Sequence, residues 1–241
     1  ALYEASSPNF GFEIEIYKAI KPGSGIGSSA ASAAGSVFGM NSLLGNPFDT
    51  HQLTYFAMKG EAIASKSEHA DNIAPALFGG FTLVKSTHPL EILQIPSPSD
   101  LYAVIAHQKI EIKTSEARAL LPNEIPLADA IIQWSNLGSL IHALHTNNFA
   151  ILGSALKDII VEPHRSQLIP NFQTLKTAAH EANALGTSIS GSGPSVFSLC
   201  QGKAVAHDVE NAQKELLKST GIPFDIYVSK INTQGIKILT Q

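Results

Sequence analysis

The sequence predicts an α+β protein in two domains, and three observations carry that expectation. Strand-period and helix-period apolar patterns are interleaved along the 241 residues without strict strand–helix–strand regularity. A breaker-rich stretch, Ser97-Pro98-Ser99-Asp100, interrupts them and reads as a linker between residues 1–97 and 98–241. Near the N-terminus, a strand pattern runs into a glycine-rich turn and then a helix start, the order in which an anion-binding loop is built. A chain of this length buries roughly three-quarters of its unfolded surface, enough for a full core.

Each element follows from its local pattern. Phe12, Ile14 and Ile16 alternate with Glu13, Glu15 and Tyr17, which predicts a half-buried strand. After the turn, Ser28 and Ser29 stand where an N-cap belongs, ahead of a helix rich in alanine that stops near Gly45-Asn46-Pro47. A second helix is expected from Asp49/Thr50 through Leu53, Phe56, Ala57, Glu61 and Ala64. A polar turn over 67–72 precedes strands at 81–84 and 91–95. In the second half, strands are expected at 101–106, 196–200 and 224–228. Helices are expected at 115–120, 128–145, 148–159, 170–184 and 205–218. The segment from Ala5 to Asn9 reads as loop.

Composition excludes several classes of function. The net charge is −4 and no Lys/Arg cluster is present, which argues against a nucleic acid partner. No run of about 18 apolar residues offers a membrane span. The single cysteine, Cys200, has no internal disulfide partner and reads as a buried small hydrophobe at a strand end. The expected compartment is therefore the cytoplasm.

Gly23-Ser24-Gly25-Ile26-Gly27-Ser28-Ser29 carries the first chemical signal. Its glycines let the backbone approach an anion and turn N–H groups toward it. The helix behind adds unpaired N–H groups and the positive end of its dipole. A Walker A loop is excluded because no lysine follows Gly27, and a dinucleotide fingerprint because Ser28 stands where its third glycine belongs. An ordinary strand–turn–helix junction remains the competing reading. A second glycine-rich turn, Ser190-Gly191-Ser192-Gly193-Pro194, precedes an apolar strand.

Together these stretches resemble the GHMP small-molecule kinases. Pro22-Gly23-Ser24-Gly25-Ile26-Gly27-Ser28-Ser29-Ala30-Ala31-Ser32 is similar to the ATP-binding motif of that superfamily, and Ser190–Ser195 to its last glycine-rich motif. Three further stretches resemble the homoserine kinase branch. They are His69-Ala70-Asp71-Asn72-Ile73-Ala74-Pro75-Ala76 with Gly79-Gly80, Thr114-Ser115-Glu116-Ala117-Arg118 with Leu121-Pro122, and Asp158–Arg165. The resemblance runs in order from about Gly11. It implies a two-domain GHMP fold, with a nucleotide-binding N-terminal domain and a sandwich-like α/β C-terminal domain. The family opens with a strand and an Asn- and Asp-containing motif for which nothing before Gly11 is a match. The sequence thus reads as a family member without its first several dozen residues.

The resemblance implies phosphoryl transfer from ATP to the side-chain hydroxyl of L-homoserine, in threonine biosynthesis, by a homodimer. Residues Pro22 to Ser29 would hold the nucleotide, and Ser29 and Glu61 would ligate Mg²⁺, for which two protein oxygens suffice beside phosphates. Arg118 and Arg165 would clamp the substrate carboxylate, since a guanidinium binds a carboxylate bidentately. His69, Asn72, Thr114, Gly191 and Ser192 would complete the substrate pocket. Glu61, Ser29 and Arg118 are the expected catalytic residues. No general base stands out, so catalysis by orientation is expected.

Three alternatives stay open on residues alone. The chain could be a GHMP kinase for a polyol, sugar or mevalonate-like acceptor. It could be a nucleotide-binding module without turnover. His69, Asp71 and Glu61, or His142 and His145, could ligate zinc, although a structural zinc site wants four ligands.

Overall fold

The computed structural model describes residues 1–20, 23–65 and 68–239. The chain forms two units, the first comprising Ala1–Pro22, Gly27–Pro96 and Asn232–Gln241, the second Gly23–Ile26 and Ser97–Ile231.

The first unit contains α1 (Leu2–Ser6), α2 (Ser28–Leu43), α3 (Thr50–Ser65), α4 (Ile73–Phe78), β1 (Phe81–Thr87) and β2 (Leu90–Ile95). Small residues bring α2 and α3 together. Ala30, Ala34 and Ala57 are buried, and a Cβ on Gly60 would stand 3.7 Å from the Ala33 Cβ. The Asp49–Gln52 pair starts α3 as a capping box: Gln52 N–H donates to Asp49 Oδ1 at 2.8 Å, and Asp49 N–H to Gln52 Oε1 at 2.9 Å. Buried Asn41 closes the preceding turn by bonding both the carbonyl and the N–H of Phe48. β1 and β2 pair antiparallel, with Phe81 opposite Ile95 and a register shift between Val84 and Ser86.

The last residues return to this unit, rather than staying in the second as a boundary at 97/98 alone implies. Gly80 N–H donates to Asn232 O at 2.7 Å and Ile236 N–H to Ala76 O at 3.0 Å. The crossing requires glycine. At Gly79 (φ +76°) a Cβ would stand 2.4 Å from Gly235 N, and at Gly235 (φ +66°) 2.2 Å from Leu77 O.

Two expectations fail here. The segment read as loop from Ala5 begins within α1, whose Leu2 is buried in the unit's core. Phe12–Tyr17 forms no strand, and Ile14, Ile16 and Tyr17 are exposed. Alternation selects a face, but a strand also needs a ladder partner, and none lies beside it among the described residues.

The second unit contains β3 (Leu101–Gln108), α5 (Thr114–Ala119), α6 (Leu127–Thr146), α7 (Phe149–Ala155), α8 (Glu162–Arg165), α9 (Phe172–Glu181), β4 (Gly186–Ile189), β5 (Val196–Gln201), α10 (Lys203–Lys218) and β6 (Phe224–Lys230). Its antiparallel sheet runs β4-β5-β3-β6, with Leu101 opposite Gln201 and Tyr102 opposite Lys230. Leu175 and Ala179 of α9, and Ala206, Val209 and Leu217 of α10, are buried against Val104, Ala106, Val196 and Cys200 of the sheet. Cys200 is fully buried, and burial pushes its thiol up to about 11.

α7 ends at Ala155, not Ile159. Asp158 Oδ1 accepts the N–H groups of Ile160 and Val161 at 2.9 and 2.8 Å, a local turn that competes with helix continuation. The short elements α4, α8 and β4 were not expected, because four to six residues are too few to show a period.

Candidate active site

The candidate residues fall into two groups, one on each unit. In the first unit, α2 starts on Gly27, a glycine at φ +71°, and no side chain caps it. Neither expected serine cap is made. Ser28 Oγ donates to Ile20 O at 2.8 Å, and Ser29 Oγ donates to Glu61 Oε1 at 2.8 Å. The first amides of α2 are therefore not taken by a side chain, which suits an anion at this end of the dipole. Glu61 is reached because α3 packs along α2, placing its carboxylate beside a residue 32 positions earlier.

Asn72, exposed at the N-terminus of α4, packs against the same turn. A Cβ on Gly27 would lie 3.2 Å from Asn72 Oδ1. The approach to His69 is braced by Glu68, which bonds Lys59 of α3 at 2.5 Å and His88 at 3.3 Å. The Lys59 ammonium is the main cause holding the Glu68 carboxyl below its usual range.

In the second unit, Gly23–Ile26 is stitched to the second glycine-rich turn. Ser190 Oγ donates to Gly25 O at 2.8 Å and Ser195 Oγ to Ser24 O at 2.5 Å. Gly25 lies at φ +75°, and a Cβ there would stand 2.6 Å from the carbonyl oxygens of both Gly193 and Ser190. Buried Ser24 accepts from Ile26 N–H through its Oγ at 3.4 Å.

Arg165 of α8 is joined to two neighbours. Its Nε donates to Ala117 O on α5 and its Nη1 to Gly191 O, each at 3.2 Å. The structure thus brings together Arg165, the Gly191 turn and the α5 segment that carries exposed Arg118. α8 is itself held by Glu162, which accepts from Ser188 at 2.7 Å and pairs with Lys176. The expected contributions of Pro22 and of the Thr114 side chain lie outside what the structure describes.

His107, not among the expected site residues, stands behind the loop. It is buried at the end of β3, and its Nδ1 lies 3.0 Å from Ser195 Oγ. Since the Ser195 proton goes to Ser24 O, the imidazole must donate from Nδ1–H, giving a relay from His107 through Ser195 to the loop backbone. Burial is the main cause lowering the His107 pKa; Asp225 opposes it and Lys109 adds to it. The folded protein therefore resists protonation of His107 more than the unfolded chain does. The resulting stability is full above the ordinary histidine value of about 6.5 and is lost as pH falls through the lower folded value. Melting temperature measured against pH should fall on this acidic side, and His107→Gln should flatten that limb; equal slopes for both proteins would deny the role.

Ser190 and Ser195 lay inside a motif visible in the sequence, but the carbonyls they bond were not. His107 gave no sequence signal at all. Among the described residues, no group of three or more His, Cys, Asp or Glu side chains is placed to hold a metal ion. The pair that does meet, Ser29 hydroxyl and Glu61 carboxylate, is a hard oxygen set of the kind Mg²⁺ takes alongside phosphates.

The GHMP kinases N terminal domain family matches residues 1–80, starting earlier than the Gly11 limit expected from motifs, and the GHMP kinases C terminal family matches residues 140–218. The chain is 45% identical over 229 residues to a homoserine kinase of Chlorobium phaeobacteroides, covering 94% of this chain and 72% of that protein. It is 40% identical to one of Thermococcus gammatolerans, covering 95% of this chain and 77% of that one. The crystal structure of homoserine kinase from Cytophaga hutchinsonii superposes with a TM-score of 0.88 at 47% identity, over 90% of this chain and 69% of that one. The chain belongs to the GHMP kinases and, within them, to the homoserine kinase family.

Proposed function

We propose that this protein transfers the γ-phosphoryl group of ATP to the side-chain hydroxyl of L-homoserine, giving O-phospho-L-homoserine and ADP in threonine biosynthesis. Family membership supports the acceptor and the use of ATP. One structural observation carries the chemistry: on a glycine-rich loop, at a helix start that no side chain caps, the Ser29 hydroxyl meets the Glu61 carboxylate at 2.8 Å.

In this reading the amides of Gly23 to Ser29 hold the phosphates, and Ser29 and Glu61 hold Mg²⁺. The bound ion supplies neutralisation of phosphate charge. Arg118 and Arg165 take the homoserine carboxylate, while His69 and Asn72 orient its amino and hydroxyl ends, with the Gly191–Ser192 turn beside Arg165. Arg165 arrives pre-positioned, because its bonds to Ala117 O and Gly191 O fix the guanidinium. Orientation and charge neutralisation, rather than a dedicated general base, lower the barrier. In this reading the protein acts in the cytoplasm as a homodimer. Separately, no helix among the described residues is long and apolar enough to cross a membrane.

The direct test is ADP release from Mg·ATP with L-homoserine, L-serine, mevalonate and galactose as separate acceptors. Turnover confined to homoserine is the expected result. Turnover with mevalonate or galactose moves the protein to another GHMP kinase activity. ATP binding with silence for every acceptor makes it a nucleotide-binding module.

A further inference from the structure

Arg165 stands on a helix too short to hold its own direction. α8 is a single turn, Glu162–Arg165, in which His164 N–H and Arg165 N–H both donate to Val161 O, at 3.1 and 3.0 Å. One turn gains too few bonds to be stable alone, so its orientation comes from what its side chains grip. Glu162 and Arg165 lie three apart and so share one side of that turn. They grip positions that are also three apart. Ser188 Oγ donates to Glu162 Oε2 at 2.7 Å, and Arg165 Nη1 donates to Gly191 O at 3.2 Å. Both ends of α8 are thus fastened to the stretch that leads from β4 into the second glycine-rich turn.

We infer that Glu162 is a positioning residue for homoserine: it sets where Arg165 stands, and so how well the guanidinium meets the substrate carboxylate. The inference rests on the reading of Arg165 as a carboxylate clamp and adds the residue that aims it. Glu162 is built for that task. Its side chain is only 12% exposed, and both of its oxygens are engaged, Oε2 by Ser188 and Oε1 by Lys176. Bonds to an ionised carboxylate are stronger and more directional than neutral ones. The cation on the other side is anchored too. Lys176 stands one turn after Phe172 on α9, and its ammonium lies 5.7 Å from the centre of that buried ring. Elements α8, α9 and β4 therefore meet at one carboxylate.

A brace for the fold and an aim for Arg165 predict different things. A brace costs stability whether or not Arg165 is present. An aiming residue loses its effect on the substrate once the guanidinium is gone.

Glu162→Gln keeps the length of the side chain and an acceptor for Ser188, but removes the charge that holds Lys176. Lys176→Met breaks the same pair from the other side and keeps the apolar stem. Each should raise the KM for homoserine about tenfold to a hundredfold in the ADP-release assay, with the KM for ATP changed by no more than about twofold. Lys176→Arg, which keeps the charge, should restore most of the loss. Added to Arg165→Ala, Glu162→Gln should raise the homoserine KM no further, the mark of two residues acting as one unit. Should Arg165→Ala not fold, the contrast of Lys176→Met with Lys176→Arg decides. An unchanged homoserine KM in Glu162→Gln and Lys176→Met overturns the positioning role and leaves the kinase reading standing. So does a full further loss in the Arg165→Ala background, or an equal rise in both KM values with a lowered melting temperature. Absence of homoserine turnover in the wild-type protein overturns the inference together with the reading beneath it.

Discussion

Glu61→Gln should lower kcat/KM for homoserine about a hundredfold to a thousandfold while leaving the protein folded. The substitution keeps the length and shape of the side chain and an acceptor oxygen for Ser29, whose hydroxyl bonds Glu61 Oε1 at 2.8 Å. It removes only the negative charge. On the proposed reading, charge at this position matters because the substrates would bring phosphate oxygens to an uncapped helix start. A cation must be held among them, and a neutral amide holds Mg²⁺ far less well than a carboxylate. Losing one preorganised electrostatic partner of a transition state costs about 2.7–4 kcal/mol. The checking measurement is steady-state ADP release across a Mg²⁺ titration, with melting temperature as the control for folding. Wild-type turnover with an unchanged Mg²⁺ dependence would reduce Glu61 to a charge on a helix face.

How far this site was legible depends on the distance along the chain over which each signal acts. The start of α3 is written locally: Asp49, expected at the cap, closes a box with Gln52 three residues on. The glycines of the loop likewise show their purpose locally, although what forbids a side chain at Gly25 is a pair of carbonyls more than 160 residues away. The Ser29–Glu61 bond spans 32 positions and the His107–Ser195 bond spans 88. No periodicity links such pairs. The first was found through family resemblance and the second was not found. Phe12–Tyr17 shows the reverse failure: its alternation is sound, but pairing is a property of two segments, and the sequence describes only one of them. α7 stopped early for a reason that was visible, since Asp158 is a turn-forming residue, yet the apolar period running past Leu156 outweighed it.

Arg118→Ala should weaken the use of homoserine by about 2–5 kcal/mol in kcat/KM, the range for removing one partner of a desolvated, hydrogen-bonded charge pair. The KM for ATP should change little. The reasoning separates the two arginines. Arg165 is committed through Nε and Nη1 to Ala117 O and Gly191 O, so Arg165→Ala also releases α5 and the second glycine-rich turn. That turn is in turn bonded to Gly23–Ile26 through Ser190 and Ser195. Arg165→Ala should therefore harm both substrates, with a lowered melting temperature. Arg118 sits on the exposed side of α5, one residue beyond the carbonyl that Arg165 grips. Arg118→Lys should recover only part of the loss, because an ammonium keeps the charge but not the bidentate fork. Separate KM values for ATP and homoserine decide the matter. A selective homoserine defect in Arg118→Ala beside a general defect in Arg165→Ala supports one arginine as clamp and the other as clamp and brace. Equal losses for both substrates in Arg118→Ala would show that it, too, holds the frame rather than the carboxylate.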